Sequence, residues 1–367
     1  MKISIVGAGI MGLSCAWALA RLGHEVAVFE QGPIPNPLGS SHDAHRLIRF
    51  AYGGQVGYMR MVAEAYALWD LVWADLGETL YRATGTLVLS RGEQRWGRES
   101  AAALAADGQA VETLDPGMLE RRFPLLLADP ETRAFLHPGG GVLLADRILS
   151  ALARHLGRLG VGLHSATPVG RVDFDLGHAI LADGTRIDAD LVVVAAGPWI
   201  ARLVPGLAAR VTPSRQVLAY LEPPAALAQA WAAMPMLLEI DEDSGFYAVP
   251  PVAGTGLKLG DHRFSRDGDP DRDRLADPAE AAALLALAGT RLRDGAHYRL
   301  ANLKTCFYTV ESQEKFIVEP VGRAGWIMSP CSGHGFKFGP LLGHAVACAI
   351  DGGEAGGIAS WAAGEVG

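Results

Sequence analysis

Cysteine is scarce in this chain of 367 residues: the four are Cys15, Cys306, Cys331 and Cys348, and no two form a C-x-x-C pair. That usage excludes a disulfide framework and gives no zinc signature. His42, His45 and His334 lack a tight ligand spacing, so no metal is expected. An excess of basic charge is missing too. Lys plus Arg total 32 against 40 Asp plus Glu, a formal net charge of −8. The balance argues against nucleic acid as a partner and offers no polybasic patch to a membrane surface. No uninterrupted apolar run approaches the roughly 20 residues that span a bilayer. The opening Met1-Lys2 shows no secretory n-region, h-region and cleavage site, so the expectation is a soluble cytoplasmic protein.

What is present is core material. Half the residues are hydrophobic and 20% are charged, and at roughly 150 residues per domain the length suggests about two domains. The first thirty residues carry a dinucleotide fingerprint. Ile3 to Val6 reads as a buried strand, Gly7-Ala8-Gly9-Ile10-Met11-Gly12 as the G-x-G-x-x-G turn, Leu13 to Leu22 as a helix stopped by Gly23, and Val26 to Phe29 as a second strand. Gly7 makes the tight turn, Gly9 lets backbone approach a pyrophosphate, and Gly12 permits close helix–strand packing. The helix N-terminus offers free N–H groups to phosphate. Glu30, ending the second strand, can accept from a ribose 2′-hydroxyl. The motif alone does not separate NAD from FAD. It occurs once, whereas a reductase passing electrons from NADH to flavin needs two copies.

Residues 144–160 read as an amphipathic helix with Asp146 as its N-cap and Gly160 as its stop. Short strands follow, with a hairpin turn at Asp183-Gly184 and a buried strand from Leu191 to Ala195 that ends at Gly197. These extend the nucleotide-binding part, which is therefore discontinuous. Strand patterns at 85–90, 214–222, 245–250 and 255–262 suggest a mostly antiparallel sheet. Asp277-Pro278 with Glu280 opens a capped helix over 277–292, and 264–274 is a polar loop.

Four clusters hold chemistry: Arg46 and Arg49 in "SSHDAHRLIRFAYGG"; Lys258 and His262 in "GLKLGDH"; Cys306 and Tyr308 in "KTCFYT"; His334 and Lys337 in "CSGHGFKFGP". In the strand 302–311, Lys304, Cys306 and Tyr308 point to one face, an unusual one for a core. Each cluster also has a bland reading. Arginines at i and i+3 suit a solvated helix face, a strand lysine suits an edge, and a lone strand cysteine suits a small buried hydrophobe.

Taken together, the motifs "VGAGIMG", "GSSHDAHRLIRFAYG", "SRQVLAYLE", "GLKLGDH", "CFYT" and "SGHGFKF", in that order over nearly the whole length, resemble the monomeric sarcosine oxidase and N-methyltryptophan oxidase group of FAD-dependent amine oxidases. The resemblance implies an α/β fold of two parts, both discontinuous: a Rossmann-like FAD-binding domain over 1–81, 145–210 and 313–367, and a mostly antiparallel-sheet substrate domain over 82–144 and 211–312. It implies a monomer that binds an amino acid and O2. Cys306 matches the cysteine tethering FAD through its 8-methyl carbon. Arg49 and Lys337 match the cations holding the substrate carboxylate, and Lys258 the lysine that activates oxygen. His262, Tyr247 and Tyr308 match cavity-lining residues; His42 and Arg46 match positions near the flavin. Ser40, Gly333 and Gly335 fall inside the matching motifs as further cofactor contacts.

The implied reaction oxidises a C–N bond of a secondary or N-methylated amino acid to an imine, with O2 reduced to H2O2. A dehydrogenase of the same fold with another electron acceptor, or a non-catalytic flavin-binding subunit, stands as the alternative. The chain departs from the family pattern at Pro330-Cys331, at Asp261, and in loops near 223–245 and 263–276. These touch the side-chain pocket rather than the tether or the carboxylate clamp.

Overall fold

The computed structural model of the protein describes residues 1–240 and 245–365. Its first strand, Lys2–Val6, is buried from Ile3 onward because it lies inside a sheet covered on both faces. That sheet has six strands in the order Ile317–Val321, Gly325–Ser329, Leu191–Val194, Lys2–Val6, Glu25–Phe29 and Gly162–His164. All run parallel except Ile317–Val321, which returns antiparallel at the edge. The helix Ile10–Arg21 packs against the helix Gly339–Ile350 at close range. A Cβ on Gly343 would stand 2.7 Å from the Cys15 backbone nitrogen. Cys15 is thus a small buried core residue, with its thiol pushed up to about 12 by burial.

A second sheet has eight strands: Arg299–Glu311, Val211–Glu222, Leu257–Asp261, Gly245–Val249, Met236–Ile240, Thr86–Ser90, Arg133–His137 and Glu112–Leu114. Every neighbouring pair is antiparallel except Met236–Ile240 with Thr86–Ser90. The pairing of Val211–Glu222 with Arg299–Glu311 sets Gln216 opposite Cys306 and Ser214 opposite Tyr308. Together the two sheets and their helices make the mixed α/β fold. Asp277 and Glu280 close the expected capping box on the helix Pro278–Arg291.

Three details differ from the sequence reading. The fingerprint helix starts at Ile10, three residues before the expected Leu13, because the glycine turn already has helical geometry after Gly9. Asp146 is not a cap: the helix Ala145–Arg158 is entered from Leu144, and Asp146 stands in its first turn, 3.6 Å from His42 Nδ1. A small sheet also joins Arg46–Ile48 and Tyr81–Ala83 to either side of Gly141–Leu143. Strands of three residues are too short to show an alternating pattern. Of the segments that depart from the family pattern, 241–244 lie outside the described residues, as do the last two residues, 366–367.

Glu239, fully buried in Met236–Ile240, ties this sheet to its surroundings. Its carboxylate accepts from Arg91 Nε at 3.2 Å and from Arg291 Nη2 at 2.6 Å. Removing one partner of such a group strands the others in a low dielectric. Glu239→Ala should lower unfolding stability by about 3–5 kcal/mol, read from denaturant midpoints; a loss below about 1 kcal/mol would show the arginines re-pairing at no cost.

Candidate active site

The nucleotide end is built from glycines that leave no room for a side chain. Gly7 has φ +106, and a Cβ there would lie 2.5 Å from the Ala195 carbonyl oxygen; on Gly12 it would lie 1.9 Å from the Gly7 carbonyl oxygen. On Gly9 it would meet Ser41 Oγ at 3.1 Å. Ser41 Oγ itself accepts from the Ile10 backbone N–H at 3.0 Å, at the helix N-terminus. Glu30 is 7% exposed and accepts from Ala8 N (2.9 Å), Gly32 N (3.1 Å) and Asn36 Nδ2 (2.8 Å). It therefore braces the glycine turn as well as facing the cavity.

From this turn a cavity of about 410 Å³ runs to the far sheet. Gly7, Gly9, Glu30, Ser40, His42 and Arg46 line its first part, with Gly197 opposite. Arg49, Tyr247, Lys258, His262, Tyr308 and Lys337 line its second part, with Gly333 and Gly335. Of the expected site residues only Gly12 and Cys306 are not on its wall. Gly12 acts through packing. Cys306 is 3% exposed, with Sγ 3.8 Å from Arg46 Nη2 and 3.8 Å from the Ser40 carbonyl oxygen, so it sits just behind two wall residues. The face of Lys304, Cys306 and Tyr308 is split three ways. Lys304 Nζ donates to the His42 carbonyl at 2.6 Å, Cys306 meets Arg46, and Tyr308 faces the cavity, where a Cβ on Gly333 would come within 3.1 Å of its ring.

The bland readings of the cations do not hold. Arg46 opens the strand Arg46–Ile48 and Arg49 follows it, so neither lines a helix. Lys258 is 2% exposed on the strand Leu257–Asp261, not at a solvent edge. Its Nζ stands 2.6 Å from Asp43 Oδ2. Burial lowers the Lys258 ammonium to about 8, against the pull of Asp43. Asp43, 1% exposed, also accepts from Arg46 and from the Tyr220 hydroxyl, with Lys304 Nζ at 3.8 Å. Burial would raise this carboxyl, but Lys258, Arg46 and Lys304 overturn that and hold it well below the usual range. Sequence reasoning missed Asp43, Tyr220 and Tyr52. The one available signal was an acid three residues before Arg46.

At the far end Arg49 is 9% exposed, 4.4 Å above the Tyr52 ring and 5.3 Å from Trp96. Lys337, 3% exposed, donates to the Tyr52 hydroxyl at 2.9 Å and the His334 carbonyl at 2.6 Å. Among the described residues neither cation has an acidic side chain within 4.0 Å. Burial pushes both downward, and Arg49 pushes Lys337 further. His262, lowered to about 4 by burial and by Arg49, is neutral near pH 7. A flavin dinucleotide fits this layout. The glycine cradle and helix N-terminus suit a pyrophosphate, and the cationic far end suits a reactive ring and a small anion.

Residues 2–349 match the pattern of a protein family described as FAD dependent oxidoreductase. The chain is 28% identical over 356 residues to monomeric sarcosine oxidase of Bacillus sp. (strain B-0618), covering 93% of this chain and 90% of that protein. It is 26% identical over 351 residues to N-methyl-L-tryptophan oxidase of Yersinia pestis (strain Pestoides F), covering 94% and 93%. Its fold is similar to the open form of NikD, described as an unusual amino acid oxidase essential for nikkomycin biosynthesis, at TM-score 0.82, 22% identity and coverage of 96% and 94%.

The glycine cradle makes a direct prediction. Gly12→Ala sets a methyl against the Gly7 carbonyl and must reshape the turn. Purified Gly12→Ala protein should keep less than about a tenth of the wild-type flavin absorbance after desalting. Full retention of colour would show that the turn is not the cofactor's seat.

Proposed function

The chain belongs to the family of FAD-dependent oxidoreductases, and from that premise we propose that it oxidises a secondary or N-methylated amino acid at a C–N bond. The substrate loses two electrons and two protons to become an imine, and O2 gains them to become H2O2. FAD, held by the glycine turn at Gly7 and Gly9, the N-terminus of the helix Ile10–Arg21 and Glu30, would supply the two-electron redox chemistry that links substrate to oxygen. One observation carries the reading: two buried cations, Arg49 and Lys337, share Tyr52 and have no acidic side chain within 4.0 Å among the described residues, Glu314 acting on Arg49 only from farther along the cavity wall. Two like charges held together out of water are costly until an anion joins them. A substrate carboxylate supplies that anion, and the planar guanidinium suits two-oxygen binding.

The neighbouring side chains then orient the rest of the substrate. His262 is neutral, so it does not repel the amine and can accept a hydrogen bond from it. The surrounding cations disfavour the ammonium form and promote the free amine the reaction needs. Tyr247 and Tyr308, with phenols pushed upward chiefly by burial, stay neutral and bound the cavity. Lys258 places a positive charge where oxygen gains electrons. The flavin-binding part is assigned to 1–81, 145–210 and 313–367, and the substrate part to 82–144 and 211–312. The six-stranded and eight-stranded sheets support that division. The monomeric reading rests on the name of the Bacillus relative.

We further propose a covalent bond from Cys306 Sγ to the flavin 8-methyl carbon. The place of its sulfur, just behind the cavity wall and 3.8 Å from Arg46 Nη2, supports it. Acid precipitation separates the cases: a yellow pellet is expected from wild type and a colourless one from Cys306→Ser. All the colour in the wild-type supernatant would refute the bond.

The carboxylate clamp predicts a selective loss. Arg49→Met or Lys337→Met should lower kcat/KM by about 30- to 4000-fold, the range of about 2–5 kcal/mol for a broken buried charge contact. Because burial depresses Lys337, a bound carboxylate must take up a proton with it. Binding of a carboxylate inhibitor should therefore weaken as pH rises, and the Lys337→Met variant should lose that dependence. Amines without a carboxylate turning over as fast as the amino acid would overturn the clamp.

A further inference from the structure

The Lys258 ammonium does not stand alone in the cavity wall. Its Nζ is 2.6 Å from Asp43 Oδ2 and 3.4 Å from the His45 carbonyl oxygen. Asp43 is locked from the other side by the Tyr220 hydroxyl, and Tyr220 pairs with Lys258 across two strands. Next to this pair His45 is fully buried on the cavity wall. Its Nε2 faces the Gly256 carbonyl at 3.3 Å, a contact that requires a donor, so Nδ1 is an acceptor. That Nδ1 is buried and has no partner among the described residues. His45 thus keeps an unpartnered buried nitrogen on a residue of the cavity wall next to the Asp43–Lys258 pair.

We propose that Asp43 is a positioning residue for the oxygen step: its carboxylate fixes the Lys258 ammonium in the cavity wall and supplies its countercharge. The inference rests on the oxidase reading above. Around Lys258 stand Asp43, His45 and Arg46 on the loop and strand before it, Tyr220 opposite, Tyr247 with Nζ 5.9 Å from its ring, and Lys304, Cys306 and Tyr308 on the strand beyond. Asp43 is the single carboxylate in that set. Arg46 and desolvation both push Lys258 toward the neutral amine, and Asp43 opposes them. The sign is therefore fixed. Lys258 carries its charge below about 8 and loses it as pH rises through that value, and removing Asp43 moves the loss to lower pH. The balance of the reaction is unchanged: O2 takes two electrons from the reduced cofactor and two protons, giving H2O2.

The test uses holoenzyme, substrate-reduced without air and then mixed with O2-saturated buffer between pH 6 and 10. In parallel, 15N NMR follows the ammonium groups of the five lysines. In wild type, reoxidation should slow as pH rises through about 8, with the Lys258 resonance titrating in the same window. In Asp43→Asn both transitions should fall by at least about one pH unit, making reoxidation roughly tenfold slower at pH 9 and closer to wild type at pH 6. Lys258→Met should slow reoxidation roughly a thousandfold. In that background Asp43→Asn should change reoxidation by less than about twofold, because the carboxylate acts through the ammonium. If Asp43→Asn alone does not fold, the charge-balanced double variant compared with Lys258→Met decides. An unmoved lysine titration, or a further tenfold loss in the Lys258→Met background, overturns the proposal. Wild-type reduced enzyme that ignores O2 sinks the oxidase reading instead, while the NMR titration still tests the Asp43–Lys258 link.

Discussion

One buried carboxylate holds the site together. Asp43 is 1% exposed and takes Lys258, Arg46 and the Tyr220 hydroxyl at once, with Lys304 close by. An isolated carboxylate at that depth would be prohibitively costly, and removing any one cation would leave the rest misaligned. The same short loop carries Ser41, whose hydroxyl accepts from the first turn of the fingerprint helix, and Ser40, whose hydroxyl donates to the Phe307 carbonyl. Seven residues thus fasten the nucleotide end to the strands Val211–Glu222, Leu257–Asp261 and Arg299–Glu311. The relative placement of glycine cradle and cationic wall depends on that fastening.

The charge inside the molecule is opposite to the charge outside. The chain as a whole has a net charge of −8, yet Arg46, Arg49, Lys258, Lys304 and Lys337 converge on the cavity and its margin, against the buried acids Asp43 and Glu30 and the wall residues Asp261 and Glu314. In a water-poor space a positive surplus acts over longer range than on the surface. Such a field suits every negative group the proposed chemistry brings in: a pyrophosphate, a substrate carboxylate, and oxygen as it gains electrons. It also explains how Lys258 and Lys337 can serve different ends. Lys258 has its own carboxylate and keeps charge without a ligand. Lys337 has only a hydroxyl and a carbonyl, so its charge depends on what binds.

Much of this was legible in the sequence, for reasons that can be named. The fingerprint strand, the capped helix Pro278–Arg291 and the long strand holding Cys306 each have a strong local period or a steric requirement that only glycine meets. The positions of Arg49, Lys258 and Lys337 came from motif resemblance, not from periodicity, which favoured exposed cations. Asp43 and Tyr52 stayed hidden because their partners lie far along the chain, 215 residues away for Asp43–Lys258 and 285 for Tyr52–Lys337. No local pattern announces such a contact. The three-residue strands around Gly141–Leu143 were invisible for the opposite reason, being too short for any pattern.

Two of the departures from the family pattern on the cavity wall, Asp261 and Cys331, are locally satisfied. Asp261 turns its carboxylate back on Arg263, accepting from its backbone N–H at 2.6 Å and its Nε at 2.9 Å. It therefore presents a neutralised pair to the cavity, not a free anion that would call for a basic substrate side chain. Cys331 lines the cavity while its sulfur accepts from the Thr309 N–H at 3.4 Å, and burial raises its thiol. It acts there as a compact, weakly polar wall residue rather than as a second nucleophile. Beside them Trp96 and Phe264 line the cavity, with the Phe264 ring edge-on to Tyr308 at 6.1 Å between centroids. Both rings lie outside the motifs that locate the proposed carboxylate clamp, which is why those motifs say little about the substrate's side chain.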